Sequence, residues 1–160
     1  MDSRVKLHIK RAENELKLAE IIFRISGDNE LKIRFKANEE DTFYSAAISH
    51  AYYSIFYSAK AILLTKGVET RSPEIHKKTY DEFKKNFVDT GELDIELLKI
   101  YKTMLVRADE LLSLFKEEKG KRGHFTYQTI AQANMPYADN SIKNARKFTA
   151  NILAVLKGKE

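Results

Sequence analysis

An all-helical fold, four long helices and one short one in an antiparallel up-down bundle, is what the sequence predicts. Three observations carry it. Apolar residues recur at spacings of three and four in successive segments, the period of an amphipathic helix. Glycines fall where those patterns stop, at Gly27, Gly67, Gly91, the Gly120/Gly123 pair and Gly158, as glycine does at helix ends. No stretch shows sustained alternation of period two, so strands are not expected.

The first helix is predicted over residues 3 to 26, where Val5, Ile9, Ala12, Leu16, Ala19 and Phe23 form one stripe. Residues 27 to 40 are mixed and charged, with Leu31, Ile33 and Phe35 leaving room for a helical extension of undefined boundary. The second long helix, about 41 to 66, is different in kind. From Thr42 to Ala59 there is no Asp, Glu, Lys or Arg. A membrane span is the first alternative for such a run, but it holds His50, four serines and four tyrosines. A helix that is small or apolar on nearly every face belongs at the centre of a bundle. Ser45, Ser49, Ala51, Ser54 and Ser58 would let neighbouring helices approach closely.

A shorter helix is predicted over 73 to 87, anchored by Ile75, Tyr80, Phe83 and Phe87, with Ser72 as N-cap and Pro73 at the first helical position, where proline is tolerated. The next helix, about 94 to 117, carries two stripes. Leu98, Tyr101, Leu105, Ala108, Leu112 and Phe115 make a near-heptad seam, and Leu97, Ile100, Met104, Arg107, Leu111 and Leu114 make a second, interrupted by one cation. The second stripe predicts a face left over for a homodimer. The last helix, about 136 to 157, begins with Pro136 in its first turn and offers Ile142, Ala145, Phe148, Ile152 and Val155.

The 160 residues fit one domain spanning 1–160 with enough chain to bury a core. With no cysteine, thiolate metal sites and disulfides are excluded, and a reducing cytoplasm is a compatible setting. The N-terminal MDSRVKLHIK lacks the apolar run of a signal peptide. The net charge of +5 favours phosphate-bearing partners only weakly. There is no Gly-rich phosphate loop, no Gly-x-Ser-x-Gly elbow, no His-Glu-x-x-His and no Glu-x-x-His, so neither metal nor cofactor is called for.

Residues 47 to 67, AISHAYYSIFYSAKAILLTKG, carry a tyrosine pair (Tyr52, Tyr53), then Phe56, Ala59, Lys60, Leu63, Leu64 and Gly67. A polar loop with His76 follows, then FKKNFVDTGELD at 83 to 94 and KRGHFTYQ at 121 to 128. In this order the three stretches resemble the HEPN family of small helical proteins. The resemblance implies a helical dimer, often paired with a minimal nucleotidyltransferase. It also implies, in active members, a metal-independent ribonuclease built on Arg, four to six residues, then His. An imidazole can take a proton from a ribose 2′-OH while Arg stabilises phosphate charge.

The arginine nearest the family's usual place for that motif is Arg107, yet positions 112 to 114 read Leu, Ser, Leu, so the histidine is missing there. One formal match lies elsewhere, Arg71 and His76 in RSPEIH. The plain alternative is a helix-start arginine beside a surface histidine. Arg122 and His124 form another nearby pair, plainly read as part of a turn. Arg107 is either an arginine snorkelling between Met104 and Leu111 with Glu110 as partner, or a guanidinium offered to phosphate in a groove between subunits. Candidate catalytic residues are therefore Arg71, His76, Arg107 and His124. Candidate nucleotide- or RNA-contacting residues are Arg107, Lys121, Arg122 and Tyr127. His50 reads as a hydrogen-bonded core histidine, and Tyr44, Tyr52, Tyr53 and Tyr57 as core residues with hydroxyls on polar partners.

The function expected is that of a helical subunit in a two-component nucleotidyltransferase system of toxin-antitoxin type, associated with nucleotide or RNA and carrying a degenerate ribonuclease motif. An active ribonuclease toxin is one alternative. A non-catalytic structural or nucleotide-binding dimer is the other.

Overall fold

The computed structural model describes residues 1–112 and 135–158. All regular structure among them is helical, as the periodicity predicts. Helix α1 spans Ser3–Ser26, opened by Asp2, whose carboxylate accepts from the Arg4 backbone N–H at 2.7 Å; this satisfies one of the orphan donors of the first turn. Residues between the first two long helices form a separate short helix α2, Asn29–Arg34, capped in the same way by Asp28. Helix α3 is Tyr44–Leu64 and is tied to the end of α1 by the Phe43 N–H, which donates to Ser26 Oγ at 2.8 Å.

Helix α3 carries the uncharged run, and it packs against α1 and against the three helices that follow. Ile48, Ala51, Tyr52, Ile55, Ala59 and Ile62 are fully buried. Burying each large side chain contributes about 1.5–3 kcal/mol. The small residues do what their size allows: Ser54 Oγ and Ser58 Oγ lie 3.0 and 3.2 Å from Thr149 Oγ1 of the last helix. No helix among the described residues is long and apolar enough to cross a membrane.

After α3 the chain turns at Gly67, whose φ of 72° is a backbone setting that side chains rarely adopt. Helix α4, Ile75–Phe83, then runs on as a π-helical turn over Lys84–Val88. Its start differs from the sequence expectation. Ser72–Pro73 is a cis peptide lying ahead of the helix, and Glu74, at φ 56°, is the cap residue. A left-handed residue cannot continue a helical run, so neither Ser72 nor Pro73 belongs to the helix. The π turn places both Phe83 and Phe87 wholly in the core.

Helix α5 is Ile95–Leu112 and α6 is Met135–Gly158, with Pro136 in the first turn as expected. Contacts fix two senses of packing. Ser26 with Phe43, Glu15 with His50 and Arg11 with Tyr57 make α1 and α3 antiparallel. Arg107 with Asn140 and Tyr101 with Phe148 do the same for α5 and α6.

Over the described residues the second stripe of α5 is not a spare face; Leu114 and Phe115, which end the two predicted stripes, lie outside them. Leu97 and Met104 are as buried as Leu98 and Leu105 of the first stripe, because α5 has α3 on one side and α6 on another. A stripe's width reports how many neighbours a helix has, not whether one of them is a second chain. The apolar residues that α5 does expose are Ile95, Val106 and Leu112.

Candidate functional site

Helix α3 ends its uncharged run at Lys60, and the candidate pair Arg71 and His76 gathers around that residue. His76 sits in the first turn of α4 with its ring 4.6 Å from the Phe56 ring. Its Nδ1 lies 2.8 Å from the Tyr52 hydroxyl. Burial pushes the Tyr52 phenol well above its ordinary range, so it stays protonated and needs an acceptor. Among the described residues His76 Nδ1 is the partner it has. Tyr52 therefore donates to Nδ1, which puts the imidazole proton on Nε2. Burial and the nearby Lys60 ammonium hold His76 below the usual histidine range, so the ring is neutral at pH 7. In this state Nε2–H is a hydrogen-bond donor, not a base.

Arg71 is exposed, and its Nη2 donates to Glu69 at 2.9 Å. It does not touch His76, but its charge acts on Lys60, and the Lys60 charge acts on His76. Burial lowers the Lys60 ammonium, Arg11 and Arg71 lower it further, and Glu69 pulls it back. Lys60 Nζ donates to the Thr70 carbonyl at 3.3 Å. Thr79 Oγ1 donates to the Ile75 carbonyl, so the 2.7 Å contact between Thr70 and Thr79 hydroxyls is donated by Thr70. That chain pins the 69–71 loop to the start of α4.

Arg107 lies elsewhere, between α5 and α6. Its Nη1 is 2.8 Å from Asn140 Oδ1 and 3.1 Å from Ser141 Oγ, and its guanidinium stands 5.4 Å from the Tyr137 ring centroid. The expected partner Glu110 contributes only a charge effect. Arg107 Nη1 therefore ties α6 to α5, and the residue also lines an open pocket with Lys99, Lys102, Thr103 and Val106. No interaction joins it to Arg71 or His76 among the described residues. Lys121, Arg122, His124 and Tyr127 lie outside the described residues.

His50 fits its sequence reading: Nδ1 is 2.6 Å from Glu15 Oε2, a half-buried tie between α3 and α1. The tyrosines fit in their packing, and Tyr52 also in its hydroxyl bond. Tyr52 is wholly buried, while Tyr44, Tyr53 and Tyr57 are half-buried against the core. Among the described residues no group of three or more His, Asp or Glu could hold a metal ion.

Sequence reading missed His8, Arg11 and Glu69. His8 stacks on the Tyr57 ring with centroids 5.9 Å apart, and Arg11 lies over the same ring at 4.4 Å. The one available signal was spacing, since Arg4, His8 and Arg11 recur at four and three residues alongside the Val5–Ala12 stripe.

Comparison with known proteins agrees with the helical architecture. The chain is 46% identical over 57 residues to "Putative toxin MJ0142" of Methanocaldococcus jannaschii, covering 36% of this chain and 37% of that one. It is 34% identical over 86 residues to "Putative toxin MJ0605" of the same organism, covering 54% and 50%. It is 31% identical over 112 residues to "UPF0332 protein PH1297" of Pyrococcus horikoshii, covering 69% and 63%. The matched stretches thus span between about a third and two-thirds of these relatives' own lengths. A family model described as the HEPN domain matches residues 5–157, nearly the whole chain. The chain belongs to the HEPN domain family.

Proposed function

We propose that the chain is the helical subunit of a two-component toxin–antitoxin system, working as a homodimer with a minimal nucleotidyltransferase and engaging RNA or nucleotide phosphate through the Lys60–His76 face. The observation that carries this reading is the state of His76. Its Nδ1 is taken by Tyr52, and Nε2–H points the ring toward donating to a phosphate oxygen rather than accepting a proton. A cationic face with a neutral donor histidine is a binding surface. Relatives named as toxins support the system assigned.

Expressing the chain alone should slow growth of a host, and co-expressing the nucleotidyltransferase should relieve it and yield a co-eluting complex. Light scattering on the chain alone should give about twice its 18.5 kDa mass. Unimpaired growth together with failure to co-elute would overturn the proposal.

One observation favours a second reading, a metal-independent ribonuclease: Arg71 and His76 flank the same ammonium. For Nε2 to act as a base, the imidazole proton must move to Nδ1 and be donated to the Tyr52 oxygen. RNA cleavage abolished by both Arg71→Ala and His76→Ala would put this reading first.

A further inference from the structure

Glu69 is a carboxylate around which cations have been collected. Arg71 Nη2 bonds it at 2.9 Å, and Arg4 Nη1 approaches to 3.8 Å. Lys60 and His8 feel its charge. Arg11 completes the set, since it acts on both Lys60 and His8. Four permanent cations, Arg4, Arg11, Lys60 and Arg71, thus meet three carboxylates: Glu69, the Asp2 that Arg4 also holds, and Glu15, which acts on the same Tyr57 phenol as Arg11 and is bonded to His50. Gathering like charges is unfavourable unless an anion answers them.

The arrangement follows from the fold. Arg4, His8 and Arg11 share one face of α1 by their spacing. The antiparallel run of α1 and α3 brings that face to Tyr57 and Lys60, which lie three residues apart on α3. The 69–71 loop closes the side and is pinned by Lys60, Thr70 and Thr79. Beneath the cations lies an aromatic floor. Arg11 stands over Tyr57, Lys60 Nζ is 5.7 Å from the Phe56 centroid, His8 stacks on Tyr57, and His76 lies tilted against Phe56. Apolar rings below a positive rim displace water and strengthen the field an anion meets.

We infer that this face binds the phosphodiester backbone of single-stranded RNA, and that Glu69 holds the place of one backbone phosphate between Arg4, Arg71 and Lys60. A phosphate presents two free oxygens to paired guanidiniums much as a carboxylate does, and a bare strand lets bases reach the His8 and His76 rings. The inference rests on the RNA-associated reading above and adds to it a site and an internal competitor. When a phosphate enters, the Glu69 side chain swings away toward solvent, to which it is already open.

The test is fluorescence anisotropy with a labelled single-stranded RNA of about twelve nucleotides, a length near that of such binding sites, titrated at several salt concentrations. Arg11→Ala and Lys60→Ala should each weaken binding about tenfold and lower the salt slope by about one. Lys60→Arg should retain it. Glu69→Gln should tighten binding several-fold, because the competing charge is gone while the shape stays. Arg146→Ala, whose guanidinium pairs with Glu20 away from this face, is the control, and circular dichroism checks that each variant is folded. Wild-type binding that Arg11→Ala and Lys60→Ala leave unchanged overturns this site while sparing the RNA-associated reading. A Glu69→Gln variant that binds more weakly overturns the stand-in role. No RNA binding by wild type or Glu69→Gln overturns both the site and the reading beneath it.

Discussion

The Tyr52 hydroxyl and His76 Nδ1 are 2.8 Å apart, joining the middle of α3 to the first turn of α4. Because the phenol is buried and protonated, this one bond decides which imidazole nitrogen carries the proton. Tyr52→Phe keeps the packing and removes the donor. A net loss of about 1 kcal/mol is expected for such a bond, or about 2–4 °C in Tm for a chain of this size. The sharper readout is spectroscopic: in ¹⁵N-resolved spectra His76 should pass from a single Nε2–H tautomer to a mixture. An unchanged tautomer would remove the argument that His76 is a fixed donor.

Two histidines make folding sensitive to mild acid. Burial first, and then Lys60, hold His76 below its ordinary value, and the same two causes with Arg11 hold His8 down. A histidine lowered in the folded state is protonated more readily when unfolded. Its contribution is therefore complete above the unfolded value, near 6.5, and drains away as pH falls through the lowered folded values. The urea midpoint should drop between about pH 7 and pH 5. Lys60→Met removes the cation near both rings, so NMR titration should show both histidines moving up and the acid sensitivity shrinking. Unmoved histidines would mean that burial alone sets their state.

Tyr101 carries a buried hydroxyl without a hydrogen bond among the described residues. Its ring lies wholly in the core between Tyr80, Phe83 and Phe148, and its hydroxyl has no partner among the described residues. Burial drives the phenol far above its usual range. Leaving such a donor unsatisfied costs about 1–3 kcal/mol. Tyr101→Phe should therefore be neutral or raise Tm, whereas Phe148→Ala, beside it, should cost about 3–5 kcal/mol. A marked loss of stability in Tyr101→Phe would show that the hydroxyl is bonded in solution.

The contrast between these sites shows how much was legible beforehand. Helix positions and the central place of α3 could be read because periodicity and the uncharged run are local features of the chain. The start of α4 could not, since a left-handed Glu74 leaves no mark distinguishing it from a helical glutamate. The enclosure of both α5 stripes needed the third dimension, as did the meeting of His8, Arg11, Lys60 and Glu69. Arg71 and His76 were visible because they are near neighbours in sequence. What sequence could not say is that Tyr52 fixes the histidine, since nothing local links residues 52 and 76.

Arg107 offers the last check, because a role in packing α6 on α5 and a role in contacting a partner predict different things. Nη1 serves Asn140 and Ser141 together, and the guanidinium leans on Tyr137, so one side chain fastens three positions of α6 to α5. Arg107→Met would keep the apolar stem beside Met104 and Leu111 while losing those bonds. Since the group is half-exposed, the loss should be about 1–2 kcal/mol, below the upper range for charged hydrogen bonds, with helicity retained. Arg107→Glu should destabilise more, because a carboxylate would face the Asn140 Oδ1 acceptor and bring a second negative charge beside Glu110. Any weakening of a partner complex in Arg107→Glu would then follow from a loosened α5–α6 pairing as readily as from lost surface charge. Comparing Met and Glu variants separates the two: partner binding that falls in step with stability in both points to packing. Binding lost in Arg107→Glu at a concentration where its fold is intact, and kept in Arg107→Met, would make the charge at position 107 a determinant of partner contact.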